Sequence, residues 1–184
     1  MNTVRLDNFN NDWYKPGNMI KIIAWHIVST IFFRNSCICV PYALKRSLLS
    51  IFGAKVGKNL VIKPSVNIKY PWFLEIGDNS WIGEGAWIDN MAFVKIGSNV
   101  CISQGALLIT GSHDYKSSSF GLITKEITIE DGVWVGAKAV VCPGVKCKSH
   151  SVLTVGSVAT HDLESYKIYQ GNPAVYKRER FVIS

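Results

Sequence analysis

Residues 76–108, IGDNSWIGEGAWIDNMAFVKIGSNVCISQGALL, place an aliphatic residue at nearly every sixth position: Ile76, Ile82 and Ile88, then Ile96, Ile102 and Leu108. A strand repeats every two residues and a helix every 3.6, so this beat describes a larger unit repeated along the chain. It runs back to Val56, Ile62 and Ile68, and forward to Ile129, Val135, Val141, Cys147, Leu153 and Ala159. The steps between triplets are eight residues after Ile68 and after Ile88, twenty-one after Leu108 and none extra after Val141. Every insertion therefore follows a third hexapeptide. That pattern predicts a triangular coil of three short strands, in which added residues are tolerated at one corner because loops there leave the stacked strands undisturbed. About five coils result.

Strand side chains alternate, so the fifth residue of each hexapeptide points inward with the first, and the residue between them points out. The fifth positions are small or aliphatic: Ser80, Ala86, Ala92, Val100, Ala106, Ser112, Val133, Ala139, Val145, Ser151 and Ser157. Gly57, Gly77, Gly83, Gly97 and Gly136 directly follow inward aliphatic residues, at corners where a Cβ would be unwelcome. The outward positions form one column of Val61, Trp81, Cys101, Trp134 and Val152, and a second of Asn67, Trp87, Leu107, Val140 and Val158. Continued by the same count, a third column reads Phe73, Phe93, His113, Lys146 and Glu164. Contiguous outward apolar columns call for cover by other protein, either the N-terminal helices or further copies of the chain.

The chain has 184 residues, 48% hydrophobic and 18% charged, enough for one domain with a substantial core. Its net charge of +7 favours acidic partners without choosing among phosphates, carboxylates and membrane surfaces. Five cysteines without a CxxC pair read as free thiols in a reducing compartment, the cytoplasm. Asn2 to Gly17 is too polar for a signal peptide. Met19 to Phe33 is an apolar helix stopped by Arg34 short of a bilayer-spanning length, with His26, Ser29 or Thr30, and Arg34 as a polar stripe. Such a helix packs on the main domain or a neighbouring subunit, or lies against a membrane surface. A second helix starts at Pro41 and ends before Gly53. The resulting plan is a helical segment over 1–55 packed on the solenoid, a solenoid over 56–164 with an inserted loop near 114–128, and a C-terminal extension over 165–184.

The hexapeptide beat, together with Gly111-Ser112-His113-Asp114, Val133-Trp134-Val135-Gly136, Gly171-Asn172-Pro173-Ala174 and Tyr70-Pro71-Trp72, resembles the hexapeptide acyltransferases, and among them the colanic acid biosynthesis acetyltransferase branch. The resemblance covers nearly the whole chain. It implies an all-β fold, a left-handed parallel β-helix, which is an exception to the right-handed crossover rule. It also implies a homotrimer with acetyl-CoA bound between subunits, which would account for the apolar columns.

In that family the histidine opening the looped-out segment is the general base, and the match here is His113. A sugar hydroxyl is a weak nucleophile, and an imidazole titrating near neutrality can take its proton during attack on a thioester. Asp114 adjoins it, and adjacent side chains seldom face each other. The family's cofactor groove carries over to Trp134, Gly136, Ala137, Val155, Thr160 and His161, with Lys177, Arg178 and Arg180 facing the phosphates of CoA. His161 stands where lysine is common in the family and Val175 where a basic residue is common. On the acceptor side, Asp89 and Asn90 lie one coil below His113 and, with Asp114, are candidates for hydrogen-bonding sugar hydroxyls; Asp-Asn is equally ordinary turn chemistry. The implied activity is an O-acetyltransferase acting on a sugar hydroxyl in exopolysaccharide or capsule assembly, or on a small free sugar or xenobiotic. It needs no metal and no nucleic acid, and the apolar N-terminus suits a place near the inner face of a membrane. A non-catalytic solenoid scaffold is the competing class.

Overall fold

A computed structural model of the chain describes residues 3–35, 37 and 39–183. Every hexapeptide of the beat is a strand of two or three residues followed by a turn. Each strand pairs in parallel with its equivalent one coil on, so the chain winds three flat faces. On the first face Val61, Trp81, Cys101, Trp134 and Val152 are register partners in sequence. On the second the run is Asn67, Trp87, Leu107, Val140 and Val158. Both columns are those expected from the sequence.

The third column differs. Its register partners are Lys55, Glu75, Lys95, Thr128 and Lys146, a charged row in place of Phe73, Phe93 and His113. The inserted residues lie before the strand, so the outward residue is the one preceding the aliphatic anchor and not the one five after the previous anchor. Only Lys146, reached from Val141 with no insertion, satisfies both counts. The inward positions of this face are correspondingly Leu74, Val94 and Ile127, all buried. Ser112 is exposed and Ala92 half-buried, so neither is a core residue.

Inside the triangle, Ile62, Ile82, Ile102, Val135 and Leu153 stack at no exposure, and parallel columns run through Ile88, Leu108 and Val141, and through Ile76, Ile96, Ile129 and Cys147. Burial in this apolar column pushes the Cys147 thiol up to about 12, so it is inert packing. Buried Ser80 is satisfied by donating to the Gly97 carbonyl at 2.9 Å and accepting from the Val100 amide at 3.1 Å. The β-helix is left-handed. Five complete coils are followed by a partial sixth turn, in which Leu163 bridges to Cys147 and Lys167–Gly171 pairs with the first-face strand above Val152. The sequence count stops at five because the sixth turn is anchored by Tyr169 after a shortened step. Ala174–Glu179 then folds back antiparallel as the sheet edge.

Two corners are locked. Where the third face turns into the first, Asn59, Asn79 and Asn99 take φ values of 54–57°, a left-handed conformation asparagine tolerates. A Cβ on Gly77 there would lie 2.7 Å from the Ser98 amide nitrogen of the next coil. Where the first face turns into the second, a Cβ on Gly83 or Gly136 would meet the following coil's backbone at 2.6 Å. These glycines are fixed by coil stacking. The remaining corner carries every insertion.

The chain enters this solenoid through two helices. Asn18 caps α1 (Met19–Ser29) by accepting from the Ile20 amide, and a π-helical turn, Thr30–Arg34, extends it. Pro41 precedes α2 (Tyr42–Ile51). The first coil has no coil beneath it, leaving carbonyls that the helices must satisfy. Lys45 Nζ donates to the Ile62 and Lys63 carbonyls at 3.1 and 3.0 Å, and Trp25 Nε1 donates to the Ile68 carbonyl at 2.8 Å. Trp25 also packs edge-on against Phe33, with ring centroids 5.2 Å apart. Among the described residues no helix is long and apolar enough to cross a membrane.

Candidate active site

The long insertion leaves the solenoid after the second face of the third coil. It forms a hairpin of Gly111–His113 against Leu122–Thr124, with His113 opposite Leu122. The hairpin rises directly over Asp89, whose carbonyl accepts from both the amide and the hydroxyl of Thr110.

His113 is half-buried. Its ring stacks on Phe120, with centroids 4.4 Å apart and planes at 7°, and Phe9 from the N-terminal segment leans on it at 5.6 Å. Nδ1 lies 2.9 Å from the Phe120 carbonyl oxygen. A carbonyl can only accept, so that contact places the proton of the neutral imidazole on Nδ1 and leaves the lone pair on Nε2. The group that orients the imidazole is the Phe120 carbonyl and not the adjacent Asp114. Asp114 instead accepts from the Lys116 amide at 3.1 Å and stabilises the turn, so it is no partner of the imidazole. Phe120 adopts φ 51°, uncommon for a bulky residue, and this aims its carbonyl back at His113.

One coil below, the two acceptor-side candidates separate. Asn90 is fully buried: Oδ1 accepts from the Tyr70 amide at 3.0 Å, while Nδ2 donates to the Tyr70 and Phe73 carbonyls at 2.6 and 3.2 Å. Its amide is committed to holding the corner, which corrects its candidacy as a sugar contact. Asp89 pairs with Lys69 at 2.8 Å and faces a cavity of about 250 Å³ between α1 and the second face. That cavity is also lined by His26, Ser29, Arg34 and Trp87, and the buried Ser29 hydroxyl has no hydrogen-bond partner. Tyr14 tethers the N-terminal segment nearby by donating to the Met91 carbonyl at 2.7 Å, and burial holds its phenol protonated.

The cofactor candidates fall into separate groups. Trp134 is exposed on the first face, its indole nitrogen donating to Ser103 Oγ at 2.8 Å. Ala137 accepts from the Gly156 amide at 2.9 Å, so Gly136, Ala137 and Val155 sit together on the corner between first and second faces. Thr160 and His161, hydrogen-bonded to each other at 2.9 Å, lie at the opposite edge of the second face, on the same corner as His113. Lys177 and Arg178 are exposed on the terminal strand. Arg180 is diverted from any such role, donating to the Gly132 and His150 carbonyls at 2.8 and 3.1 Å. Within one chain, then, Trp134 and its neighbours do not meet His113.

No family model matches the sequence. The chain is 38% identical over 167 residues to the putative colanic acid biosynthesis acetyltransferase WcaF of Escherichia coli, spanning 91% of each. Its fold matches a galactoside acetyltransferase solved with coenzyme A at a TM-score of 0.78 and 27% identity, over 87% of this chain and 80% of that one. It matches a hexapeptide-repeat acetyltransferase of Vibrio cholerae, solved with acetyl-coenzyme A, at 0.72 and 26% identity, over 78% and 80%. Solenoid, looped-out histidine and relatives together define an acyltransferase. The chain belongs to the hexapeptide-repeat acetyltransferases, in the branch of the colanic acid biosynthesis acetyltransferases.

Proposed function

We propose that this chain transfers an acetyl group from acetyl-CoA to a sugar hydroxyl in the assembly of an exopolysaccharide or capsule. The observation that carries this reading is the Nδ1 contact of His113 with the Phe120 carbonyl, which leaves Nε2 as a fixed proton acceptor beside the only long insertion in the solenoid. The donor supplies an acyl thioester. His113 Nε2 takes the hydroxyl proton as the sugar oxygen bonds to the acyl carbon and the carbon–sulfur bond breaks, and then returns that proton to the departing sulfur. Such proton transfer contributes roughly 10²- to 10⁴-fold.

Donor binding is best supported between subunits of a homotrimer. The exposed Trp134 and Val155 and the half-buried Ala137 of one subunit would then face the His113, Thr160 and His161 corner of the next, with Lys177 and Arg178 toward the CoA phosphates. This would also cover the apolar first and second columns. The cavity at Asp89, with Lys69 and Trp87, would take the acceptor, since a carboxylate and an aromatic wall suit sugar hydroxyls and ring faces. Five free cysteines suit the cytoplasm, and a position at the inner face of a membrane would bring the enzyme to a lipid-linked acceptor.

The test compares wild type with His113→Ala by calorimetry with CoA and by thiol release against a panel of sugars. Retained CoA binding with turnover reduced by roughly 10²-fold or more is expected. Absence of CoA binding by either protein would remove the enzyme reading.

A further inference from the structure

The side of the helical cap that does not touch the solenoid is apolar. Along α1 and its π-helical extension, Ile20, Ile23, Ile27 and Ile31 follow at three- and four-residue spacing and are exposed at 76, 54, 54 and 43%, with Met19 beside them at 66%. Eleven residue steps from Ile20 to Ile31 at about 1.5 Å each make this stripe about 17 Å long. The fold does not require it, because α1 packs through Trp25, Ser29 and Phe33.

The charge of the cap and the first coil it covers is equally one-sided. From Trp13 through Leu74 the sequence holds nine Lys and Arg and no Asp or Glu, whereas the rest of the chain holds eleven and thirteen. Lys45 is spent inside the cap, and Lys55 and Lys69 pair with Glu75 and Asp89. Of the other six, Lys15, Lys21, Arg34, Lys58 and Lys63 are exposed and Arg46 is half-buried, and among the described residues none has an ion pair. Lys21 lies over the Trp72 ring at 4.6 Å, at the side of the stripe.

We propose that the helical cap is a docking surface for an anionic lipid bilayer, with the isoleucine stripe of α1 lying in the interfacial region and the exposed lysines and arginine of the cap and first coil on acidic headgroups. Apolar stripe and cationic border match the two halves of such an interface, hydrocarbon boundary and phosphate. A second copy of the cap fits poorly, because two surfaces of this charge repel and neither offers a carboxylate to the other. The helix is too short to span, and Lys21, His26 and Arg34 keep it at the surface. Docking of this kind holds the Asp89 cavity, which α1 itself walls, next to the membrane plane.

The test is flotation of the full chain with vesicles of phosphatidylcholine alone and of phosphatidylcholine mixed with phosphatidylglycerol. Binding to the mixed vesicles, at least roughly tenfold weaker to the neutral ones and lost as salt shortens the screening length, is expected. Ile23→Asn/Ile27→Asn and, separately, Lys58→Gln/Lys63→Gln should each weaken it severalfold while leaving the circular dichroism spectrum and melting temperature unchanged, since all four side chains are exposed. Failure of the wild type to bind acidic vesicles overturns the proposal. So does loss of oligomer mass in the isoleucine variant without any change in flotation, which would make the stripe a contact between copies. Turnover of a soluble sugar acceptor, measured alongside, reports the catalytic reading independently.

Discussion

Replacing Gly83 by alanine tests the physical basis of the coil. The backbone there has no unusual φ, so the demand for glycine is one of space. A Cβ would sit 2.6 Å from the Gln104 amide nitrogen and from the Ser103 carbonyl carbon, and 3.0 Å from the Ile102 carbonyl oxygen. An ordinary contact needs about 3.4 Å or more, so the coils must part locally by some tenths of an ångström. They are held there by the Gly83 amide donating to the Ile102 carbonyl at 2.7 Å. Overpacking costs about 1–3 kcal/mol, and weakening that bond about 0.5–1.5 kcal/mol more. A loss of about 2–4 kcal/mol in a domain of this size lowers the melting temperature by about 4–15 °C. Gly121→Ala is the control, because nothing lies within 4 Å of its Cβ position, and it should be neutral or slightly stabilising. Thermal and urea unfolding of both variants decide the matter. A Gly83→Ala protein within about 0.5 kcal/mol of wild type would show that the corner has room and that stacking does not select its glycines.

Lys45→Met keeps the buried stem and removes the ammonium, orphaning the Ile62 and Lys63 carbonyls; it should cost about 1–3 kcal/mol and speed proteolytic release of the helical cap. Asn90→Ala should lower the melting temperature by several degrees through three lost hydrogen bonds, whereas a raised KM at unchanged stability would restore it as a sugar contact. Glu130 accepts from Lys146 and Ser149, which hold its carboxyl down at about 2, below its ordinary value of 4.5. A depressed carboxylate adds stability above 4.5 that is lost as pH falls toward 2. Because the group is partly exposed and its partner Lys146 is exposed, solvent screening holds the contribution to about 1 kcal/mol, so Glu130→Gln should melt lower than wild type at pH 7 and converge with it in acid.

The hexapeptide beat was sufficient for the first and second faces because no insertion ever falls between their strands, so counting from one anchor to the next stays in phase. The third face follows the corner that carries the insertions, and there phase must be taken from the anchor backward. His113 was legible as the residue that opens the one long break. What fixes its tautomer and ring was not legible, because that depends on a backbone carbonyl, presented by Phe120 in a conformation a phenylalanine seldom adopts, and on Phe9 from the N-terminal segment. The burial of Asn90 was not legible for a related reason: it comes from Tyr70 and Phe73, whose carbonyls reach it only once the two-residue insertions fold over the corner.

The position of the chemistry follows from which corners can change. At two corners, glycine or a left-handed asparagine lies against the backbone of the next coil, and an added residue would force every later coil out of register. At the third, between the second and third faces, no such contact stacks, and the chain has room for two extra residues at Tyr70 and Asn90 and for a whole hairpin after Thr110. Loops that can vary without unwinding the solenoid are where side chains can be set for a substrate. Asp89, His113, Thr160 and His161 all lie on that corner. Gly136 and Val155 lie on a locked one across the second face, next to Trp134 of the first face, where they present a rigid surface and no loop. A donor that touched both, as proposed, could not be enclosed by one chain. The exposed Trp87 and half-buried Leu107 between the two edges mark the strip of surface that a neighbouring subunit would have to cover to close the groove.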